Sequence, residues 1–241
     1  DVPREAWFRL GRKLAFYKGT RTLYSWTGTM FEYLMPALFM RTYGDTLLGE
    51  SLTAAVRIQQ AYGAERGVPW GISEAAYSAR DSALSYQYRA FGVPYIGLKR
   101  AWPGDLVIAP YASMLALMVD HAAATRNLRA MQALGWTGRY GFFESADYSD
   151  SPGTPRVIRA FMAHHQGMGL LALANTLLDA PMQRRFHPDP LVQATEYLLQ
   201  ERLPALLDRG PVEQPLPEEL SRRYEQWKMR PEAPPARIAA G

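Results

Sequence analysis

Three glutamates stand in settings unlike those of an ordinary surface carboxylate. Glu32 lies in WTGTMFEYLMP, Glu74 in PWGISEAAY and Glu144 in GRYGFFESADY, with Asp147 three positions after Glu144. Each has aromatic and glycine neighbours and no adjacent basic residue. Apolar surroundings favour the protonated carboxyl, as a general acid requires. Breaking a glycosidic bond needs two such groups, one as acid and one as nucleophile or base. Taken singly, each glutamate also fits a helix cap or a structural hydrogen bonder, and Glu32 fits it best, three residues after Thr29 as in a capping box. His164 and His165, in FMAHHQGMGLLAL, are adjacent, so on a helix they point about 100° apart. Metal sites pair histidines four apart on one face. The pair therefore reads either as binders of sugar hydroxyls, helped by Gln166, or as satisfied core histidines. No metal set and no cofactor is implied.

Composition agrees with a sugar site and excludes others. Six Trp, fourteen Tyr and nine Phe are present, many beside glycine and polar residues. Sugar rings stack on aromatic faces while their hydroxyls bond polar groups. A partner protein could also use such loops. The net charge of +4 is spread along the chain, without the basic stripe of a nucleic-acid binder. There are no cysteines, hence no disulfides or thiolate metal sites. No phosphate-binding loop, dinucleotide fingerprint or nucleophile elbow occurs. No apolar run is long enough to span a bilayer, and the start resembles no signal peptide.

The elements that must hold these residues read as helices joined by shaped loops. Helices are predicted over Thr29–Tyr43, with Pro36 as a kink or a late helix start; over Thr46–Tyr62, capped by Gly63; and over Pro110–Val119 and His121–Leu134, with Asp120 as a cap between them. Further helices are predicted over Val157–Leu178 and Asp189–Leu207. Gly67–Lys99 and Gly135–Asp150 read as Gly- and aromatic-rich loops, the former around a short helix. From Gly210 the chain is Pro- and Glu-rich, with one short helix over Pro217–Lys228 before a linker. Little strand alternation is expected, which implies an all-α array of antiparallel hairpins, a bundle or an α/α toroid, with functional loops at one end.

Seven motifs in this order, WTGTMFEYLMP, GVPWGISEAAY, YQYRAFGVPYIGLKR, VIAPYASMLAL, GRYGFFESADY, AFMAHHQGMGLLAL and MQRRFHPDPLVQATEYLLQERLP, resemble the glycoamylase-like domain of cyclic β-1,2-glucan synthases, related to bacterial endo-β-1,2-glucanases. The resemblance runs from about Trp7 to Pro204. It implies an (α/α)6 toroid over residues 1–209, with 210–241 as a tail. Fewer helices are read than a closed ring needs, so the chain is expected to carry the C-terminal two-thirds of it. It also implies a parent protein at the cytoplasmic face of the bacterial inner membrane, with glycosyltransferase and phosphorylase-like regions on either side and no membrane contact from this soluble segment. The implied reaction is transglycosylation with retention, cyclising linear β-1,2-glucan; plain hydrolysis and a non-catalytic glucan-binding module are the alternatives. The resemblance makes Glu74 and Glu144 the acid/base and nucleophile pair, the nucleophile leaning to Glu144, with Glu32 as third candidate. Direct retention sets such carboxyls about 5 Å apart, a distance that a relay through a substrate hydroxyl would relax. Trp26, Trp70, Tyr77, Tyr86, Tyr88, Tyr140, Phe142 and Tyr148 would line subsites. Gln87, Asp147, His164, His165, Gln166 and Arg185 would complete the sugar contacts.

Overall fold

A computed structural model describes residues 3, 5–99, 104–150 and 153–202 of the chain. The predicted tail, its helix over Pro217–Lys228 and the 209/210 boundary lie outside them. The order is helix α1 (Glu5–Arg9), hairpin β1 (Leu14–Tyr17) and β2 (Thr20–Leu23), α2 (Met30–Leu34), α3 (Leu47–Arg66), hairpin β3 (Ala75–Arg80) and β4 (Tyr86–Arg89), then β5 (Val107–Ile108). There follow α4 (Pro110–Leu115), α5 (His121–Ala133), hairpin β6 (Thr137–Gly138) and β7 (Gly141–Phe142), β8 (Ser145–Asp147), β9 (Arg156–Ile158), α6 (Ala163–Leu177), α7 (Pro181–Phe186) and α8 (Pro190–Thr195). No described helix is long and apolar enough to cross a membrane.

The helices largely begin where their caps stand. Thr29 caps α2 by accepting from the Glu32 N–H, Thr46 caps α3 through the Gly49 N–H, and Asp120 caps α5 through the Ala123 N–H. The ends differ from expectation in several places. Of the helix predicted over Asp189–Leu207, α8 stops at Thr195 and a 3₁₀ turn over Glu196–Gln200 follows; of that over Pro110–Val119, α4 stops at Leu115 and a 3₁₀ turn over Ala116–Met118 follows. The α2 helix stops at Leu34, and a single 3₁₀ turn over Pro36–Leu38 replaces the rest, because proline lacks an N–H and collides with the preceding turn. The α3 helix runs through Gly63 to Gly67, whose φ of +65° supplies the left-handed cap. Gly63 serves packing instead: a Cβ there would sit 2.8 Å from the Trp70 Cβ. The predicted helix over Val157–Leu178 is split, β9 taking its first residues and α6 starting at Ala163.

The strands correct the expectation of an all-α chain. The stretch Gly67–Lys99 carries the β3–β4 hairpin, turned by Asp81, whose Oδ1 accepts the N–H groups of Ala83 (2.9 Å) and Ser85 (3.0 Å). β5, β8 and β9 form a three-stranded antiparallel sheet. These strands are only two to six residues long among the described elements, too short for hydrophobic alternation to register. The core lies between α2, α3, α4, α5 and α6 and includes Met30, Leu34, Ile58, Ile108, Leu115, Met131 and Ala172.

Between α3 and β3 the backbone is held peptide by peptide. Asn127 donates from Nδ2 to Trp70 O (2.6 Å) and accepts the Trp70 N–H at Oδ1 (3.2 Å). Gln59 does the same to Ile72, donating to its carbonyl (2.8 Å) and accepting its N–H (2.8 Å). Gly71 between them has a φ of +135° and lies against Ala109 and Ser113, where a Cβ would meet Ser113 Oγ at 3.0 Å. Buried peptide groups need partners, and here two side-chain amides supply what a neighbouring strand otherwise would. Gln59→Leu keeps the volume but leaves the Ile72 N–H unpaired, while the Ile72 carbonyl keeps the Met30 N–H (3.1 Å). It is expected to lower stability by roughly 1–3 kcal/mol for that one buried group, read as a reduced urea midpoint at unchanged slope.

Candidate active site

Residues 70–73 deliver Glu74 to the start of β3. The Ser73 hydroxyl accepts the Phe31 N–H (3.0 Å) and lies 2.8 Å from the Tyr111 hydroxyl, which donates to Glu74 O (3.0 Å). Glu74 is thus fixed by its own carbonyl while its side chain stays half-buried.

Glu144 enters from the other side, just before β8. Its N–H donates to Ala160 O (3.0 Å), and its carboxylate turns inward, 2% exposed as a residue. One oxygen accepts the Ala76 N–H (3.3 Å); the other lies 2.9 Å from His165 Nδ1. His165 sits in the first turn of α6, 1% exposed, with its ring stacked on Tyr111 at 3.7 Å between centroids and 12° between planes. Its Nε2 is 3.2 Å from the Tyr88 hydroxyl, which lies 3.3 Å from Glu74 Oε2. A buried carboxylate is tolerated only when hydrogen-bonded, and His165 with Ala76 meets that need. Burial and the charges of Glu74 and Glu144 push the Tyr88 phenol above its usual range. Burial, then the neighbouring His165, holds His164 below the usual histidine value.

The edge of β3 is joined to β8 through side chains. Ser145 Oγ donates to Ala76 O (2.6 Å), and Asp147 Oδ2 accepts the Ser78 N–H (2.8 Å). Asp147 is buried, which pushes its pKa up, but the N–H groups of Ser78 and Ser149 outweigh burial and hold it below the usual value.

The chain therefore brings Glu74, Glu144, Tyr88, His164 and His165 together and sends other candidates elsewhere. Glu32 is spent on its own loop, accepting the N–H groups of Thr27 (3.0 and 2.9 Å) and Gly28 (3.1 Å) and the Thr27 hydroxyl (2.7 Å). Trp70 and Tyr148 are buried, the latter beside Trp136. Tyr77 is buried with its hydroxyl 3.3 Å from Asp105 and Arg89 over its ring. Gln87 bonds Arg89, Tyr86 lies under Arg80, and Gln166 donates to Phe142 O (3.1 Å). Arg185 is exposed on α7, its guanidinium 3.7 Å from Met182 Sδ. Trp26 and Tyr140 are 65% and 69% exposed, the latter edge-on to Phe161. Two concavities, of about 230 Å³ beside Thr22, Ser51 and Arg57 and about 310 Å³ beside Gln60 and Arg126, are lined by neither Glu74 nor Glu144. Sequence reading missed Tyr111 and the amide pair Gln59 and Asn127. Tyr111 stands second in a Pro-initiated helix, so its signal was absorbed by the helix itself.

A buried carboxylate–histidine pair is thus joined through Tyr88 to a second, half-exposed glutamate. The family model "Glycoamylase: Putative glucoamylase" matches residues 2–190, and the chain belongs to that family. Cyclic β-(1,2)-glucan synthase NdvB of Rhizobium meliloti (strain 1021) is 43% identical over 208 residues, 85% of this chain; the chain spans 7% of that relative's length. An endo-β-1,2-glucanase from Chitinophaga pinensis, solved with sophorotriose and glucose, is similar in structure at 17% identity with a TM-score of 0.57, covering 78% of this chain and 46% of that one. A β-1,2-glucanase from Parabacteroides distasonis is similar at 20% identity with a TM-score of 0.55, covering 77% and 26%. At those identities the likeness is one of fold.

Because the folded pKa of Asp147 is depressed, its contribution to stability is present above the unfolded value and is lost as pH falls through the folded one. Asp147→Asn is expected to destabilise the protein at pH 7. The gap to wild type should narrow below about pH 4, where the unfolded aspartate takes up its proton. Urea titrations at a series of pH values measure it.

Proposed function

We propose that the chain is the glucan-cleaving module of a cyclic β-1,2-glucan synthase, cutting linear β-1,2-glucan with retention and rejoining the chain on itself. The observation that carries the reading is the meeting of Glu74 and Glu144 around Tyr88 and His165. The 43% identity with a cyclic glucan synthase supports it and favours transglycosylation over hydrolysis. The fold shared with β-1,2-glucanases is compatible with either outcome. Residues 1–209 form the module in this reading, within an α/α toroid, and 210–241 lead on to the next part of a larger protein.

In this mechanism Glu74, half-exposed, protonates the leaving oxygen, directly or through a substrate hydroxyl. Glu144 attacks the anomeric carbon, and the glucosyl unit passes to the other end of the same chain, with Glu74 acting as base on the incoming hydroxyl. The Glu144 side chain has no exposed surface, so glucan binding must open the way to it. Exposed Trp26 and Tyr140 offer faces for glucose rings.

Incubating the protein with linear β-1,2-glucan and weighing the products separates the outcomes, since a ring is one water lighter than the open chain of equal length. Cyclic product is expected, and Glu74→Gln and Glu144→Gln should each lower turnover by at least about 100-fold. Linear fragments alone would make it a hydrolase. Unchanged turnover in both variants would remove the pair from the chemistry.

A further inference from the structure

We infer that Glu144, His165, Tyr88 and Glu74 form one hydrogen-bonded chain that shares protons between the two carboxylates, with His165 and Tyr88 as positioning residues. The inference deepens the reading of Glu74 and Glu144 as the acting pair and rests on it for its catalytic meaning. Three contacts make the chain: Glu144 Oε2 to His165 Nδ1 at 2.9 Å, His165 Nε2 to Tyr88 Oη at 3.2 Å, and Tyr88 Oη to Glu74 Oε2 at 3.3 Å.

Donor and acceptor counting restricts what such a chain can hold. An ionised Glu144 only accepts, so His165 carries its hydrogen on Nδ1. In neutral His165 the bare Nε2 must then accept, and the Tyr88 hydroxyl supplies the hydrogen. Tyr88 has only one, so in this state, the reverse of the one in which Tyr88 donates to a Glu74 carboxylate, its contact with Glu74 Oε2 is a hydrogen bond when Glu74 is a carboxylic acid donating to the phenol oxygen. That state is the division of labour which glycoside cleavage asks for: one carboxyl protonated, the other ionised.

A second state holds the same protons and the same total charge. The Glu74 O–H bond breaks as a new Tyr88 O–H forms; the old Tyr88 O–H breaks as His165 Nε2–H forms. Glu74 is then a carboxylate accepting from Tyr88, and an imidazolium lies beside Glu144. Nothing enters or leaves, so the proton that Glu74 needs can be held on His165, next to the ionised Glu144.

The surroundings keep the chain intact. Tyr111 stacks on His165 and fixes its ring, while the Tyr111 hydroxyl is engaged by Ser73 and Glu74 O, leaving Nε2 to Tyr88. His164, 3.5 Å from the Tyr88 oxygen, is the other titratable group at hand, and burial favours its neutral form. Burial keeps Tyr88 a phenol, with its hydrogen in place. A histidine retained only for packing would need one partner; here both ring nitrogens are used and the series ends on a half-exposed acid.

The test is nitrogen NMR of histidine-labelled protein, which needs no glucan. Near neutral pH His165 should show a proton on Nδ1. Glu74→Gln, which does not touch His165, should shift its Nε2 signal, and the same substitution in a Tyr88→Phe background should not. An unchanged Nε2 signal in Glu74→Gln overturns the chain whatever the enzyme does. Where glucan is turned over, Tyr88→Phe should lower kcat by about tenfold with KM nearly unchanged. A loss confined to KM would make Tyr88 a sugar contact and would also overturn the proposal. Absence of turnover with an intact NMR coupling would fault the functional reading and leave the chain standing.

Discussion

Keeping the Glu144 carboxylate away from water, against His165, is the constraint from which the arrangement of the site follows. An ionised group so deeply buried is stable only if its oxygens are met by donors, and two elements supply them. The β3 strand gives the Ala76 N–H and α6 gives His165. The histidine must hold a fixed orientation, and the Tyr111 ring stacked on it provides that. Tyr111 in turn reaches Ser73 and the carbonyl of Glu74. Satisfying one glutamate therefore fixes the backbone of the other, though 70 residues separate them in sequence.

The same logic explains why so much of the site's support is made of side chains bonding to backbone. The strands around it are too short to form complete ladders. Gln59 and Asn127 replace a missing neighbour strand for Ile72 and Trp70, and Ser145 and Asp147 of β8 do so for Ala76 and Ser78 of β3. Such bonds are directional and local, so they place loops with the accuracy that helices and sheets usually provide. Glu32 belongs to this class: it holds the turn before α2, and the first turn of α2 donates the Phe31 N–H to Ser73.

What the sequence disclosed depended on how local the signal was. Thr29 and Asp120 announced their helix starts, because caps act within one turn, whereas Pro36 suggested a kink or a late start of a longer helix where α2 instead ends. Glu74 and Glu144 were visible from composition, since carboxylates among rings and glycines are unusual. Their motifs also carried the family resemblance, which the match over residues 2–190 bears out. The β3–β4 hairpin and the β5–β8–β9 sheet were not legible, as strands this short leave no periodic trace. The apolar run after Val157 suggested a longer helix than forms, because its first residues pair with β8. Roles that depend on a distant partner were beyond local reading. His165 could not be told from a sugar binder until Glu144 lay beside it, and Trp70, Tyr77 and Tyr148 went to the interior because rings suit a core as well as a sugar.

A crystal structure of Glu144→Gln with a linear β-1,2-gluco-oligosaccharide tests the central claim most directly. The account predicts a glycosidic bond with its anomeric carbon toward residue 144 and its oxygen on the Glu74 side. Sugar bound elsewhere, as in the concavity beside Arg57, would contradict it.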